Sequence, residues 1–518
     1  MSQQFISGFL NNVDEQIIST MNDHALIGLG IGIVQGNEVI YARGFGWADT
    51  TQQRPVTPDT TFRIGSLSKT CTALGFMQLC EQGLVQLDDP INPFLKFYQV
   101  EHAAKSAPPV TFRHILTHTA GFGELRTLSD LFRPVLGLAA KPGQRLPSVW
   151  EYYAHSLQPE VYPQMKFAYS NHAFATLGQA IEDISGQPFA DYMVRHVFDP
   201  LGMAQTDYNL SPRVAPMLAQ GYTIRQDTVQ PVTYQDIIVK GAGSVCSSVA
   251  DMCRYMLALL NNGSNDHGTV LKPETLDMML QPHYQLDERL PAIGLSFGLE
   301  KLHGHRIASH SGSWPGFTSA MYLAPDAKTG IVVLANTSSI APITLALRLL
   351  QGLLDIPPHG VSIPRSDILG SPHLWEEVCG FYAPDKGMNT NFRIWALLGG
   401  EVEVFVKQNH LHLRSLTGPL SEGVRLFPAD PDDPFVFATS PETPILWPSG
   451  FSLPSLRLVF KRNMRNHVDR LCAGMDVLYK RPLEKTLRFR SMLGSGLVVG
   501  FLLAVLRRHQ VMRQRARS

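Results

Sequence analysis

Strand-like runs stand at both ends of the first 350 or so residues, and helical text fills the space between them. Near the start, Gly28–Val34 and Glu38–Arg43 are apolar runs joined by Gly36-Asn37, a turn dipeptide, and read as a β-hairpin. The signal returns only at Leu295–Leu302, His305–Ser309, Thr318–Leu323 and Gly330–Ala335, before a helix at Pro342–Leu354. Isolated hairpins are marginal in water. The two sets therefore belong to one sheet, completed by distant segments around a helical insert, which is an α+β two-region domain. An N-terminal helix at about Phe5–Asp23 precedes it. Within the insert, Ser170–Gly186 and Ser247–Asn261 carry helical apolar periodicity. Val110–Phe122 reads as a helix capped by Thr111 and ended by Gly121.

With 518 residues the chain exceeds one ordinary domain. Asp355–Pro372 is rich in Pro, Gly and Ser and reads as a linker. Beyond it, Phe392–Leu397, Glu401–Val406 and His410–Arg414 look like short alternating strands of a small β-barrel or sandwich. The expected division is 1–354, a linker at 355–374, a small β domain at 375–481 and a tail at 482–518.

Chemistry concentrates first at Arg63-Ile64-Gly65-Ser66-Leu67-Ser68-Lys69-Thr70, after which Leu67, Cys71, Leu74 and Met77/Gln78 recur at spacings of three to four and predict an amphipathic helix. Ser66 then sits at a helix N-terminus, where free backbone N–H groups favour a developing oxyanion. Lys69 lies one turn on, roughly 5–6 Å away between Cβ atoms. A lysine partly removed from water loses its preference for the charged form and can take the serine proton. Ser-x-x-Lys alone is weak, because an N-cap serine beside a solvated lysine gives the same letters.

Two distant motifs offer partners. Tyr169-Ser170-Asn171 stands just before a helix; the Tyr169 hydroxyl can share a proton relay and the Asn171 amide can donate to a substrate. His310-Ser311-Gly312, at the end of a strand, can lie along the pocket, with the Ser313 N–H joining that of Ser66 in an oxyanion hole. Taken singly, these motifs read as a cap with a packed aromatic and as an ordinary histidine. Gly294–Gly298 also fits G-x-S-x-G, but that elbow needs a strand–turn–helix setting. Ser296 instead reads as part of a strand running to Glu300, and is set aside as a nucleophile.

Ser-x-x-Lys, Tyr-x-Asn and His-x-Gly, in this order with strands outside and helices inside, resemble the serine β-lactamase/penicillin-binding-protein superfamily. The chain looks most like its class C branch, with the family VIII carboxylesterases and D-aminopeptidase-type enzymes. Thr111–Phe122 and Ala242–Gly263 match further stretches typical of the family, and the similarity spans about residues 10–350. The resemblance implies an antiparallel sheet with a helical region, Ser66 as acylated nucleophile, and Lys69 with Tyr169 as the base pair. It places Asn171, His310, Gly312 and Ser313 along the site. Where lactamases and transpeptidases carry Lys-Thr-Gly, this chain has His310-Ser311-Gly312. A neutral histidine offers no permanent cation to a substrate carboxylate. Esters or small amides are therefore expected as substrates, ahead of a D,D-peptidase, D-aminopeptidase or weak β-lactamase activity. The glutamate used by class A enzymes has no counterpart, which leaves Tyr169 for deacylation. A catalytically silent scaffold of the same fold is the rival from another class, and intact Ser66, Lys69 and Tyr169 speak against it. The β region, beginning Gly380-Phe381-Tyr382-Ala383-Pro384, is similar to lipocalin-like accessory domains; it binds part of a substrate, shields the catalytic cleft or is a structural appendage.

Net charge is zero, yet from Lys480 onward ten Lys/Arg face one acidic residue, Glu484. The body is correspondingly acidic, which argues against nucleic acid as a partner. Met492–Leu506 is mostly apolar and flanked by Arg488, Arg490, Arg507 and Arg508. As a helix it would reach about 22 Å, short of a hydrocarbon core of roughly 30 Å. Residues 484–518 thus suggest an interfacial or short anchor on an anionic membrane, with a helix packed on the protein as the alternative. Six cysteines form no metal-type spacing, so neither a metal nor another cofactor is expected and buried thiols are. Met1–Thr20 lacks a basic and apolar leader pattern, which favours a cytoplasmic location. Oligomeric state has no signature.

Overall fold

The computed structural model describes residues 3–140, 144–154, 156–226, 228–356, 372–418, 420–440, 445–448, 452–453 and 456–488. After helix α1 (Gln3–Asp23), strands β1 (Gly28–Gln35), β2 (Glu38–Asp49) and β3 (Arg54–Pro55) form one side of a sheet. The helical region follows, with α2 (Ser68–Glu81), α3 (Phe112–Leu116), α4 (Asn171–Ser185) and α5 (Val249–Leu260) as the elements that matter for the site. Strands β4 (Tyr284–Gln285), β5 (Ala292–Ile293), β6 (Gly298–Leu302), β7 (His305–Trp314), β8 (Phe317–Ala324) and β9 (Thr329–Ala335) then return to the sheet, and α6 (Ala341–Leu353) closes it.

The order is β4-β5-β6-β7-β8-β9-β1-β2-β3, nine antiparallel strands. Sequence-distant ends meet at β1 and β9, from Leu29 opposite Ala335 to Gln35 opposite Thr329. Alternation explains why this pair is central. Leu29, Ile31, Ile33, Ile331 and Val333 face one apolar layer with α1 and α6. Val34, Val332 and Leu334 face the other, against the helical region. A strand covered on both faces must be apolar along its length, and these two are except at the end where Gln35 meets Thr329.

Some boundaries differ from the sequence reading. Strand β7 runs through His310-Ser311-Gly312 to Trp314, paired with β8 from Ala308–Leu323 to Trp314–Phe317, so the motif lies within a strand and not at its end. Strand β6 starts at Gly298; Ser296 occupies a turn before it, at φ +76°. Helix α3 stops at Leu116, well short of Gly121. There Thr117 turns its hydroxyl back to the Arg113 carbonyl (2.8 Å) and His118 takes φ +56°. Such side-chain bonds compete with helix propagation.

The C-terminal region is a closed eight-stranded barrel: β10 (Gly380–Ala383), β11 (Val402–Lys407), β12 (His410–Ser415), β13 (Val424–Pro428), β14 (Val436–Thr439), β15 (Arg457–Arg462), β16 (Val468–Ala473) and β17 (Asp476–Arg481). Closure comes from β10, which pairs with both β11 and β17. Closure removes exposed edges, and the barrel encloses its own core around Tyr382, Leu413, Leu458 and Leu478. Phe392–Leu397, expected as a strand, is instead helix α7 (Phe392–Leu398). It buries Ile394 and Leu398 at a spacing of four and ends on Gly399 in the left-handed conformation. Short apolar runs fit either period, and that ambiguity produced the misreading. Of the expected linker, 357–371 lie outside the described residues, and a helix at Pro372–Val378 leads into the barrel. The basic apolar run Met492–Leu506 also lies outside the described residues, among which no helix is long and apolar enough to cross a membrane. All six cysteines are unpaired, four of them buried.

The barrel rests on the rim of the helical region through polar contacts. Lys166 pairs with Asp385 at 2.9 Å, Arg393 with Glu124 at 3.1 Å and Arg289 with Asp433 at 2.5 Å. The Leu125 N–H donates to Asn389 at 2.7 Å, and Glu160 accepts from the Thr390 N–H at 2.6 Å.

Candidate active site

Ser66 lies on a single 3₁₀ turn, Gly65–Leu67, that feeds α2. The turn is pressed against β7. Gly65 has φ +53°, and a Cβ there would stand 2.8 Å from the Ser313 nitrogen. At Gly312 a Cβ would fall 1.9 Å from the Ile64 carbonyl oxygen, which accepts instead from Ser319 Oγ at 2.7 Å. The two glycines thus let backbone meet backbone, bringing the Ser313 amide beside the Ser66 turn.

Helix α2 is buried on nearly every side, so it is a core helix and not the amphipathic one its spacing suggested. Lys69 is consequently fully buried. Its Nζ lies 2.7 Å from the Ala242 carbonyl, 2.8 Å from Asn171 Oδ1 and 3.0 Å from Ser66 Oγ. Burial, and secondly the charge of Arg393, pushes the lysine well below its ordinary range, with Glu124 opposing. A neutral amine has two N–H donors and one lone pair. In the neutral form the carbonyl and amide oxygens, which can only accept, take both donors and leave the lone pair for the Ser66 hydroxyl proton.

Tyr169, just before α4, lines the cavity with Ser66, and burial, opposed by Arg393 and Ser66, pushes its phenol up to about 12. It therefore keeps its proton near neutrality and can give one. Its ring stacks on His118 (centroids 4.3 Å apart) with the Arg393 guanidinium carbon 4.0 Å from its centroid and Lys69 Nζ 4.8 Å away. His118 accepts the Ser170 N–H on Nδ1 at 3.2 Å, and burial holds it neutral. Ser170 caps α4 as expected. Asn171 is engaged on both sides within the protein: Oδ1 receives Lys69 while Nδ2 donates to Glu124 Oε1 at 3.2 Å. His310 is pushed down to about 3 by burial and then by Lys69, and its Nδ1–H donates to the Ser311 carbonyl at 2.7 Å. Its Nε2 is left as an acceptor, not a cation.

These groups surround a cavity of about 530 Å³ lined by Ser66, Tyr169, Asn171, His310, Gly312 and Ser313, with Lys69 beneath it. Glu124 and Arg393 line it too, and Arg393 is the one arginine or lysine among the described lining residues. Sequence reading missed both, along with His118 and the Ala242 carbonyl. His118 and Ala242 fell inside stretches singled out above, whereas nothing near Glu124 or Arg393 pointed to the site. Ser296 is elsewhere: buried, absent from the cavity wall, and with no hydrogen-bond partner for its hydroxyl among the described residues. Among the described residues no cluster of His, Cys, Asp or Glu is arranged to hold a metal.

Residues 13–352 match the beta-lactamase family. Penicillin-binding protein 4* of Bacillus subtilis is 26% identical over 316 residues, 58% of this chain and 66% of that protein. Unguisins hydrolase ungD of Aspergillus violaceofuscus is 25% identical over 382 residues, covering 64% and 62%. The chain thus spans a little under two thirds of these relatives' length. Among solved structures, the octameric penicillin-binding protein homologue from Pyrococcus abyssi aligns with a TM-score of 0.59 at 23% identity, over 91% of this chain and all of that one. SurE aligns at 0.60 and 20% identity, over 92% and 100%. At these identities the structures speak for the fold.

Proposed function

The chain belongs to the beta-lactamase family, whose members are serine hydrolases, and from that premise we propose that it hydrolyses carboxylic esters or small amides through an acyl-enzyme on Ser66. The observation that carries the reading is the buried Lys69, pushed by burial well below its ordinary range, 3.0 Å from Ser66 Oγ with the Asn171 and Ala242 oxygens placed to take its other N–H donors. In the first half-reaction Ser66 Oγ gives its proton to Lys69 and bonds to the substrate carbonyl carbon. The Ser66 and Ser313 amides receive the oxyanion. As the tetrahedral adduct collapses, the Tyr169 hydroxyl gives a proton to the leaving group, and the Lys69 proton makes good the loss. Water then attacks the acyl carbonyl, its proton leaving by the same relay, and releases the acid with Ser66 restored.

Strand β7 supports this substrate class. A lysine at position 310 would hold a carboxylate; His310, neutral and tied to the Ser311 carbonyl, does not. The alkoxide of an ester also leaves the tetrahedral adduct more readily than the amine of an amide. Assay of p-nitrophenyl esters, nitrocefin and D-amino-acid amides tests this. Ester turnover that disappears in Ser66→Ala and survives in Ser296→Ala supports the reading. Turnover confined to amides narrows the reading to its amide half, turnover confined to nitrocefin assigns another substrate class, and no turnover at all points to a silent scaffold.

A further inference from the structure

Arg393 reaches the cavity from the barrel, on helix α7, and its fork is already engaged. Nε and Nη2 donate to the two oxygens of Glu124, at 3.1 and 3.4 Å, and the guanidinium lies over the Tyr169 ring. Glu124 is 7% exposed. A carboxylate so buried needs partners, and Arg393 and Asn171 Nδ2 are the side chains that supply them. From there the contacts continue without a gap: Asn171 Oδ1 to Lys69 at 2.8 Å, and Lys69 to Ser66 Oγ at 3.0 Å.

The order of donors gives this chain a direction. A side-chain amide has a donor end and an acceptor end, and a carboxylate accepts only. Glu124 therefore forces Asn171 to turn Nδ2 outward and Oδ1 toward Lys69. That oxygen occupies one of the two N–H donors of the neutral amine, and with the Ala242 carbonyl on the other it aims the lone pair at Ser66. Releasing Glu124 removes the reason for Asn171 to face this way.

We propose that Arg393 is a positioning residue, and that the barrel completes the active site by fixing Glu124, Asn171 and the Tyr169 ring so that Lys69 presents its lone pair to Ser66. The proposal rests on the acyl-enzyme reading above. It accounts for a cation in a cavity whose strand lacks the family's lysine, without spending that cation on substrate.

Charges around the relay give the sign of a test. Facing Lys69 and Tyr169 are Arg393 from the barrel, Glu124, His118 from the loop after α3, and His310 from β7; Asp476 acts on Arg393 from the barrel side. Both histidines are held neutral. Arg393 and Glu124 therefore set the field, the first favouring loss of the relay proton and the second opposing it.

The experiment uses the full chain, with kcat and KM for p-nitrophenyl acetate measured from pH 5 to 10 beside thermal melting. Arg393→Gln is expected to lose at least about tenfold in kcat with little change in KM, and to move the acid limb up by roughly half a pH unit or more. Arg393→Lys keeps the charge but not the fork; its limb stays near that of the wild type while kcat recovers in part. Glu124→Gln removes the opposing charge, so its limb moves down, and this variant carries the test if Arg393→Gln does not fold. An Arg393→Gln enzyme with at least half the wild-type kcat and an unmoved limb overturns the proposal, as does an unmoved limb in Glu124→Gln. An inactive wild type with an unreactive Ser66 overturns the acyl-enzyme premise instead, and the proposal falls with it.

Discussion

Lys69 is the residue on which the account turns, because a lysine works as a base here only while neutral. Its depressed folded-state pKa has a consequence for stability. Between the folded value and the unfolded value near 10.4, the unfolded chain binds the extra proton, so wild-type stability rises with pH across that window. Lys69→Met lacks the effect. Relative to wild type the variant should fare best at low pH and lose ground as pH rises, by at most about 1.4 kcal/mol per pH unit. Melting temperatures of both proteins from pH 6 to 9 check this; a constant gap would mean that Lys69 stays charged. For Tyr169→Phe, loss of a proton-transfer group predicts a kcat lower by about 10²–10⁴-fold with KM little changed. Steady-state kinetics retaining half of wild-type kcat would remove Tyr169 from the relay. Ser66 and Lys69 were legible because helical spacing alone places them together. Glu124 and Arg393 were not, since 269 positions separate them and only the docking of the barrel brings them into contact.

Among elements, the register of β7 against the nucleophile turn is the most exacting. Gly312 has no room for a methyl group, with backbone oxygen 1.9 Å from where it would sit. Gly312→Ala must push strand and turn apart, at a cost of about 2–3 kcal/mol in denaturant unfolding. It should also lose activity out of proportion to that cost, as the Ser313 amide leaves the oxyanion position. Activity near wild type in a folded Gly312→Ala would show that β7 supplies no oxyanion donor. The long strands of the sheet were readable, β1 and β9 most plainly because they are apolar enough to be covered on both faces, whereas the two-residue strands β3, β4 and β5 are too short to carry a pattern. Strand ends were not. Polar Ser309, Ser311 and Ser313 disguise the continuation of β7, and Phe392–Leu398 becomes a helix only because Gly399 ends it and Ile394 with Leu398 finds the barrel core.

At the scale of the molecule, one sheet is covered by two helical layers and the C-terminal barrel region adds Arg393 to the wall of the cavity. The described chain ends docked on that barrel, where the Leu487 and Arg488 N–H groups donate to Glu401 at 2.8 and 3.0 Å. We propose that the basic apolar run beyond is a membrane-surface anchor. A chain ending after Arg488 should then keep full esterase activity yet lose flotation with anionic liposomes. The complete chain should float, and 1 M salt should release it if attraction to lipid is chiefly electrostatic, since the Debye length falls from roughly 10 Å at 0.1 M to about 3 Å. Failure of the complete chain to float would assign the run to packing on the protein. The central claim remains that the acyl group is carried by Ser66. Peptide mass mapping after reaction with a fluorophosphonate tests it most directly: the account predicts a single adduct on the peptide containing Ser66, absent in Ser66→Ala, while an adduct on Ser296 or none in an active enzyme would contradict it.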